Sequence, residues 1–452
     1  MTRYLHARRV AAVVGAAGLL AASLAACAPS ASPDGGGDVT KATQAEIDAA
    51  LQKESSITFW TWAPQAEDIV EAFEEKYPKI DVKLENVGTG NDHYTKLQNA
   101  IKAGTGAPDV AQIEYYAFPQ FALSDSLQDL TGYGAAELED QYTPGTWGSV
   151  AIQDGIYGLP QDSGPMAMFY RADVFEGLGI AVPKTWDEYL DAARKIHAAD
   201  PSKYIINDIG DPGFTESMIW QAGGQPYSGE GETVNINFAD DEGTQKWTEV
   251  WNQMVQEDLV SPIPNWSDEW FRALGEGSIA SLVTGAWMPG NLENGAPAGA
   301  GQWRVAPVPT YDGGAAANAE NGGGGDALIA QSKNKLVAYG FMQFLNGPEG
   351  AAIHAAGGGF PSTVADLEAD EFLNYTSDYF GGQKINEVLV QGSKDVVSGW
   401  KYLPFQAYAN SVYSDTVGQS YAKKTDLLEG LTAWQDVSTE YGSKQGFTVT
   451  ND

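Results

Sequence analysis

Gly155-Ile156-Tyr157-Gly158-Leu159-Pro160-Gln161-Asp162-Ser163-Gly164-Pro165-Met166-Ala167-Met168-Phe169-Tyr170-Arg171 breaks an otherwise regular alternation of strand and helix patterns. It reads as two extended runs joined by a Pro/Gly/Asp turn. Upstream, residues 57–60 read as a strand. Residues 65–77 read as a helix with Ile69, Val70, Phe73 and Tyr77 on one face. Residues 80–84 alternate like a strand, 94–103 form a second helix stopped by Gly104-Thr105-Gly106, and 109–113 are another short strand. This β-α-β-α-β order predicts an α/β domain with a largely parallel sheet.

Downstream a second α/β region begins. Thr185 predicts a helix N-cap with Glu188 as its capping-box partner, and the helix runs to about Ala198. Helical patterns recur near 242–257 and 267–274, with a strand at 279–283. Residues 303–309 are extended, 312–325 form a Gly/Ala-rich loop, and 333–345 form a clear helix. The remainder, from Val364, reads as mainly helical. No internal repeat is present.

The N-terminus decides location. Arg3, Arg8 and Arg9 precede an uncharged Ala/Val/Leu/Gly stretch that ends in Leu24-Ala25-Ala26-Cys27. A basic start, a short apolar core and small residues at the cut define a secretory signal. The core is too poor in strongly hydrophobic residues for a bilayer span. Cys27 is the only cysteine, so it has no partner for an internal disulfide. Residues 28–42, rich in Ala, Pro, Ser, Gly and Asp, predict a flexible tether.

The formal net charge is −34 over 452 residues. Without clustered Lys and Arg, nucleic acid is excluded as a partner. Thirteen Trp, 21 Tyr and 16 Phe must be either core or binding surface. His-Glu-x-x-His, Cys-x-x-Cys, Gly-x-Ser-x-Gly, the phosphate loop and a complete Gly-x-Gly-x-x-Gly are all missing. His93, His197 and His354 are too scattered for a zinc site. Asp240-Asp241-Glu242 lacks the calcium-loop frame and reads as a helix N-terminus. No cofactor, metal or catalytic residue is expected.

Six pieces in order carry a resemblance. They are Ile57-Thr58-Phe59-Trp60-Thr61-Trp62; Gly106-Ala107-Pro108-Asp109-Val110; Ile156-Tyr157-Gly158-Leu159-Pro160; Pro183-Lys184-Thr185-Trp186-Asp187-Glu188; Gly277-Ser278-Ile279-Ala280 with Gly285-Ala286-Trp287; and Asn346-Gly347-Pro348-Glu349-Gly350. Together they resemble the carbohydrate-binding extracellular solute-binding proteins of bacterial ABC importers, the group that contains the maltose-binding protein. The resemblance implies two α/β lobes, each discontinuous, with the ligand held at the hinge. It implies crossings near 161–164, 307–310 and 347–350. The expected layout is a signal at 1–26, a lipid-anchored tether at 27–54, an N-terminal lobe at 55–162 and 311–348, and a C-terminal lobe at 163–310 and 349–452. The N-terminus resembles a lipoprotein signal, with Cys27 acylated at the extracellular face of the cytoplasmic membrane. An ordinary signal with an incidental cysteine is the alternative.

The implied ligand is an oligosaccharide, and the implied partners are the permease subunits. A monomer is expected, touching the membrane through its lipid alone. Aromatic rings suit the apolar faces of a sugar, and amides and carboxylates suit its hydroxyl belt. The aromatics that the resemblance brings to the cleft are Trp62, Tyr116, Trp220, Trp287 and Trp400. Trp62 and Tyr116 also follow strands, at the sheet edge where open α/β folds bind ligands. Hydroxyl contacts are expected from Gln65, Asn91, Asp92, Asp162 and Gln221. Glycines at 322–325 and 357–359 would let backbone approach the ligand. Trp60 and Trp186 are assigned to packing. Two other readings compete: a secreted glycoside hydrolase, which needs two carboxylates across one glycosidic bond, and a binding protein of the same fold for a polyamine, iron complex or peptide.

Overall fold

The structure is a computed structural model that describes residues 41–311, 313 and 316–451. The signal, Cys27 and the 28–40 stretch lie outside the described residues. No helix among the described residues is long and apolar enough to cross a membrane.

The N-terminal lobe is built on a five-stranded sheet in the order Ile80–Glu85, Ser55–Trp60, Val110–Glu114, Gly324–Leu328, Leu159–Pro160. The first three strands are parallel, as the β-α-β-α-β reading predicts. The Gly324–Leu328 strand runs antiparallel to both its neighbours. It returns from the other lobe without a crossover helix, so the sheet is mixed. Ile57, Phe59, Ile69, Phe73 and Phe341 are buried together in this lobe's core.

Part of the segment expected as tether, 27–54, is regular structure. Gln44–Ala50 is a helix, and Thr43 caps it in a complete capping box with Glu46. Ile47 and Leu51 are buried in the N-terminal core, close against Gly340 on the Lys335–Leu345 helix. Burying one such side chain contributes about 1.5–3 kcal/mol, enough to seat a short helix.

In the C-terminal lobe the Met166–Arg171 strand lies between Ser281–Gly285 and Trp303–Pro307, antiparallel to both. Successive strand residues face opposite ways. Met166 and Met168 pack into a core with Trp186, Trp247 and Trp251, while Ala167 and Phe169 enter a second core with Trp270 and Trp303. Thr185 caps the Trp186–Ala199 helix, although the Glu188 carboxylate reaches the backbone of Lys184 instead of the cap's own. Asp241 caps Glu242–Gln256, as the acidic run suggests. Beyond Val364 the chain is mostly helical, and it ends in the Thr448–Thr450 strand beside Thr233–Ile236. Trp60 is core, and Trp186 is buried with its Nε1 donating to Gln221.

Three segments cross between the cores. The first is 161–164, where the extended runs meet. The second is 320–323, later than 307–310. Ala319 still packs in the C-terminal core, and Asn318 Nδ2 donates to Met166 and Gly392 carbonyls at 2.8 and 3.0 Å. The third follows the Pro348–Ala356 helix, which packs on the Ala66–Lys76 and Lys335–Leu345 helices of the N-terminal lobe. Phe360 is already in a C-terminal core, so this crossing lies near 357–363 and not at 347–350. The crossings are tied together. Asn321 N donates to Gly164 O at 2.7 Å, Gly164 N to Glu320 Oε2 at 2.5 Å, and Ser163 N to Phe360 O at 3.1 Å.

Candidate ligand cleft between the lobes

A pocket of about 260 Å³ opens where the N-terminal lobe's Glu114 and Tyr116 face Asp211, Ser217, Trp266 and Trp287 of the other lobe, with Asn321–Gly323 as its floor. Glu114 ends the Val110–Glu114 strand, so it stands at the carboxyl edge of the parallel strands. Its Oε2 accepts from Tyr94 OH at 3.0 Å. Burial pushes its carboxyl up to about 7, against hydrogen bonds from Tyr94 and Tyr116 that pull it down, and the Asp162 and Asp211 carboxylates add to the rise. Asp211 caps the Pro212–Gln221 helix, its Oδ1 accepting from Phe214 N at 2.8 Å. Burial raises its carboxyl also. Two carboxyls, one from each lobe, therefore share the pocket.

Trp287 lies in the same space. Its Nε1 donates to Asn321 O at 2.7 Å, and the ring is only partly buried. Gly322, at φ +78°, passes close under this indole, and a Cβ there would sit 3.0 Å from Nε1. Asn321 is pinned by Thr284 Oγ1, which donates to its Oδ1 at 3.1 Å, and by its own Nδ2, which donates to Ser217 Oγ at 3.1 Å. The floor is thus fixed by hydrogen bonds, while the Trp287 indole stays partly exposed at the pocket. Such a site offers ring surface and carboxyl groups, the complement of a polyol with apolar C–H faces. No cluster of His, Cys, Asp or Glu able to hold a metal occurs among the described residues.

Of the residues expected from sequence, Tyr116, Trp287, Gly322 and Gly323 line this pocket. The others lie elsewhere. Trp220 and Trp400 stack on each other, with centroids 5.4 Å apart and planes 8° apart, and they line a separate groove of about 920 Å³. Tyr115 and Glu320 line that groove, whereas their neighbours Tyr116 and Asn321 line the pocket, and Tyr402 lines both. Gln221 is committed to the fold. Its Oε1 accepts from Trp186, and its Nε2 donates to Pro309 and Ala317 carbonyls at 2.6 and 3.1 Å. Asp162 clamps the first crossing, with Oδ1 accepting from Gly324 N at 2.6 Å, and burial raises its carboxyl to about 6. Gln65 is buried, donating to Gly357 O at 2.8 Å. Asn91 and Asp92 are exposed on the first turn of Gly90–Ala103. Trp62 packs against His93 at 5.0 Å, outside the pocket lining.

Glu114, Asp211, Trp266 and Asn321 are absent from the sequence expectations. Asp211-Pro212-Gly213 is a helix-start signal that could have marked Asp211. Glu114 shares the strand-end position that singles out Tyr116. Trp266 and Asn321 carry no local signal; only tertiary packing brings them in.

The family profile described as bacterial extracellular solute-binding protein matches residues 60–352. A lactose-binding protein of Rhizobium radiobacter is 23% identical over 400 residues, covering 84% of this chain and 80% of that one. An ABC-transporter-associated binding protein from B. animalis subsp. lactis Bl-04, solved with β-1,6-galactobiose, is 45% identical with a TM-score of 0.84, covering 88% of this chain and all of that one. The galacto-N-biose/lacto-N-biose I-binding protein of Bifidobacterium longum, solved with lacto-N-biose, is 25% identical with a TM-score of 0.76, covering 88% and 99%. The chain belongs to the bacterial extracellular solute-binding proteins.

Proposed function

We propose that the protein captures a short β-linked galactose-containing oligosaccharide in the pocket between its lobes and presents it to an ABC importer. The observation that carries this is the pairing of the partly exposed Trp287 indole with carboxyls from both lobes, Glu114 and Asp211, in one pocket. The likeness to the galactobiose binder supports the sugar class. Capture works by hinge closure: a ligand that touches both lobes favours the closed arrangement over the open one. The permease subunits read that closed form. Acylation of Cys27 holds the monomer at the outer face of the cytoplasmic membrane. No cofactor takes part.

A thermal-shift panel of β-1,6-galactobiose, lacto-N-biose, lactose and arabino-oligosaccharides tests the sugar class. A ligand bound only by the folded state raises Tm. The galactosides are expected to raise it with no product released. Release of monosaccharide would mean a hydrolase, and a response to polyamines alone would mean a different solute.

Asp211→Asn separates capping from recognition. Asn caps helices as well as Asp does, so Tm should hold or rise slightly. Hydrogen bonds to charged groups contribute about 1.5–3 kcal/mol. Affinity for galactobiose should therefore fall about tenfold or more in calorimetry. Unchanged affinity would remove Asp211 from the site.

A further inference from the structure

Four carboxyls line the pocket between the lobes: Glu114, Asp208, Asp211 and Glu216. No Lys, Arg or His lines it among the described residues. Buried charges are ordinarily paired with opposite ones, whereas these meet only neutral donors. Asp208 is fully used. Its Oδ2 accepts from Trp251 Nε1 and Tyr421 OH, both at 2.7 Å, and its Oδ1 from Gly210 N at 2.9 Å. Glu216 is 3% exposed. Its Oε1 accepts from Tyr227 OH at 3.0 Å and Gln406 Nε2 at 2.6 Å, while its Oε2 takes no hydrogen bond from the described residues. Asp211 acts on the other three, its charge raising the carboxyls of Glu114, Asp208 and Glu216. Behind them stand Asp162, which acts on Glu114 in the same sense, and Glu320, which acts on Tyr402. Burial raises the hydroxyls of Tyr116 and Tyr402 in the lining, so both stay protonated. The acidic set repels itself across the lobe boundary, and no lining residue neutralises it.

A sugar hydroxyl can donate to such a carboxyl but cannot offset its charge. An ammonium does both, and the rings of Tyr116, Trp287 and Tyr402 in the same lining attract a cation as well. A sugar that bears a carboxylate meets like charge on every side. We infer that the pocket selects its ligand by charge, preferring a glycan with a protonated amino group and turning away uronic acids. An ammonium favours the ionised carboxyls, so its binding releases protons from Glu114 and Glu216, which burial raises to about 7 and about 8. The inference rests on the proposed sugar-binding function and names the charge class of the ligand.

Galactose, galactosamine and galacturonate share one ring and are neutral, cationic and anionic. Each is measured on the full chain by calorimetric competition with β-1,6-galactobiose. Galactosamine should bind about tenfold or more tightly than galactose, and galacturonate about tenfold or more weakly. The galactosamine advantage should grow from about pH 6 to about pH 7, with proton release seen as a dependence of the heat on the buffer. Glu216→Gln and Asp211→Asn each remove a carboxyl and keep its shape, and Asn still caps the helix. Each variant should lower the galactosamine-to-galactose affinity ratio about threefold or more. The inference is overturned if galactosamine gains nothing over galactose, if galacturonate binds as well as galactose, or if both variants leave the ratio unmoved. If β-1,6-galactobiose itself does not bind, the sugar reading fails and this inference fails with it.

Discussion

Replacing Trp287 with alanine is expected to cost more binding than any other single change in the pocket, a loss of roughly 30- to 1,000-fold in galactobiose affinity. Truncating a central Trp anchor typically costs about 2–4 kcal/mol, and each 1.4 kcal/mol is about tenfold. Trp287 joins three roles that the structure shows separately. Its indole lines the pocket, its Nε1 bonds Asn321 O on the second crossing, and its ring stacks with Trp266. Trp287→Phe separates the first role from the second. It keeps an aromatic face and loses the 2.7 Å bond to Asn321, so its loss should be intermediate, near tenfold. Equal losses for Ala and Phe would mean that the hydrogen bond to the crossing strand matters and stacking does not.

The second large effect is on stability against pH. Burial raises Glu216 to about 8, Glu114, Glu320 and Asp326 to about 7, and Asp162 and Asp208 to about 6. In the unfolded chain these carboxyls ionise near 4. Between about pH 4.5 and 8 the folded protein holds protons that the unfolded chain has released. Stability therefore falls as pH rises through this window. Exposed acids with lowered values, such as Glu257 beside Arg194, act in the opposite direction below about pH 4.5, and the buried imidazoles of His93 and His354, lowered to about 4 by burial, oppose the fall between about pH 4 and 6.5, so the net fall is steepest above about pH 6.5. The net charge of −34 at pH 7 adds self-repulsion in the same sense as the buried groups. Even ~3 kcal/mol between pH 5 and pH 8 corresponds to a fall in Tm of roughly 3–4 °C for a chain of this length. A calorimetric Tm series across that range should show the fall. A rise would mean that these carboxyls are ionised and well paired in the folded state.

The residues that specify local structure were the ones that could be read from sequence. Strand alternation at 57–60 and 80–84 and caps at Thr185 and Asp241 act over a few residues, and they appear in the fold as expected. The Thr43–Glu46 capping box is equally local, and it places a helix where composition suggests only tether. Which space a side chain enters is not local. Tyr115 and Tyr116 are neighbours, yet Tyr115 lines the larger groove and Tyr116 the pocket. Trp220 and Trp400 are as aromatic as Trp287, but they stack on each other in the larger groove. Gln221 has the right chemistry for a hydroxyl, but Trp186, Pro309 and Ala317 already occupy it. The later crossings depend on how Ala319 and the Pro348–Ala356 helix pack, which no spacing in the chain encodes.

The most direct measurement is a crystal structure of the protein with β-1,6-galactobiose. The expected complex has one sugar ring stacked on Trp287, with hydroxyls donating to Glu114 and Asp211, so that both lobes grip one ligand. A disaccharide seated in the larger groove against Trp220 and Trp400, with the space between Glu114 and Asp211 left to solvent, would contradict the account.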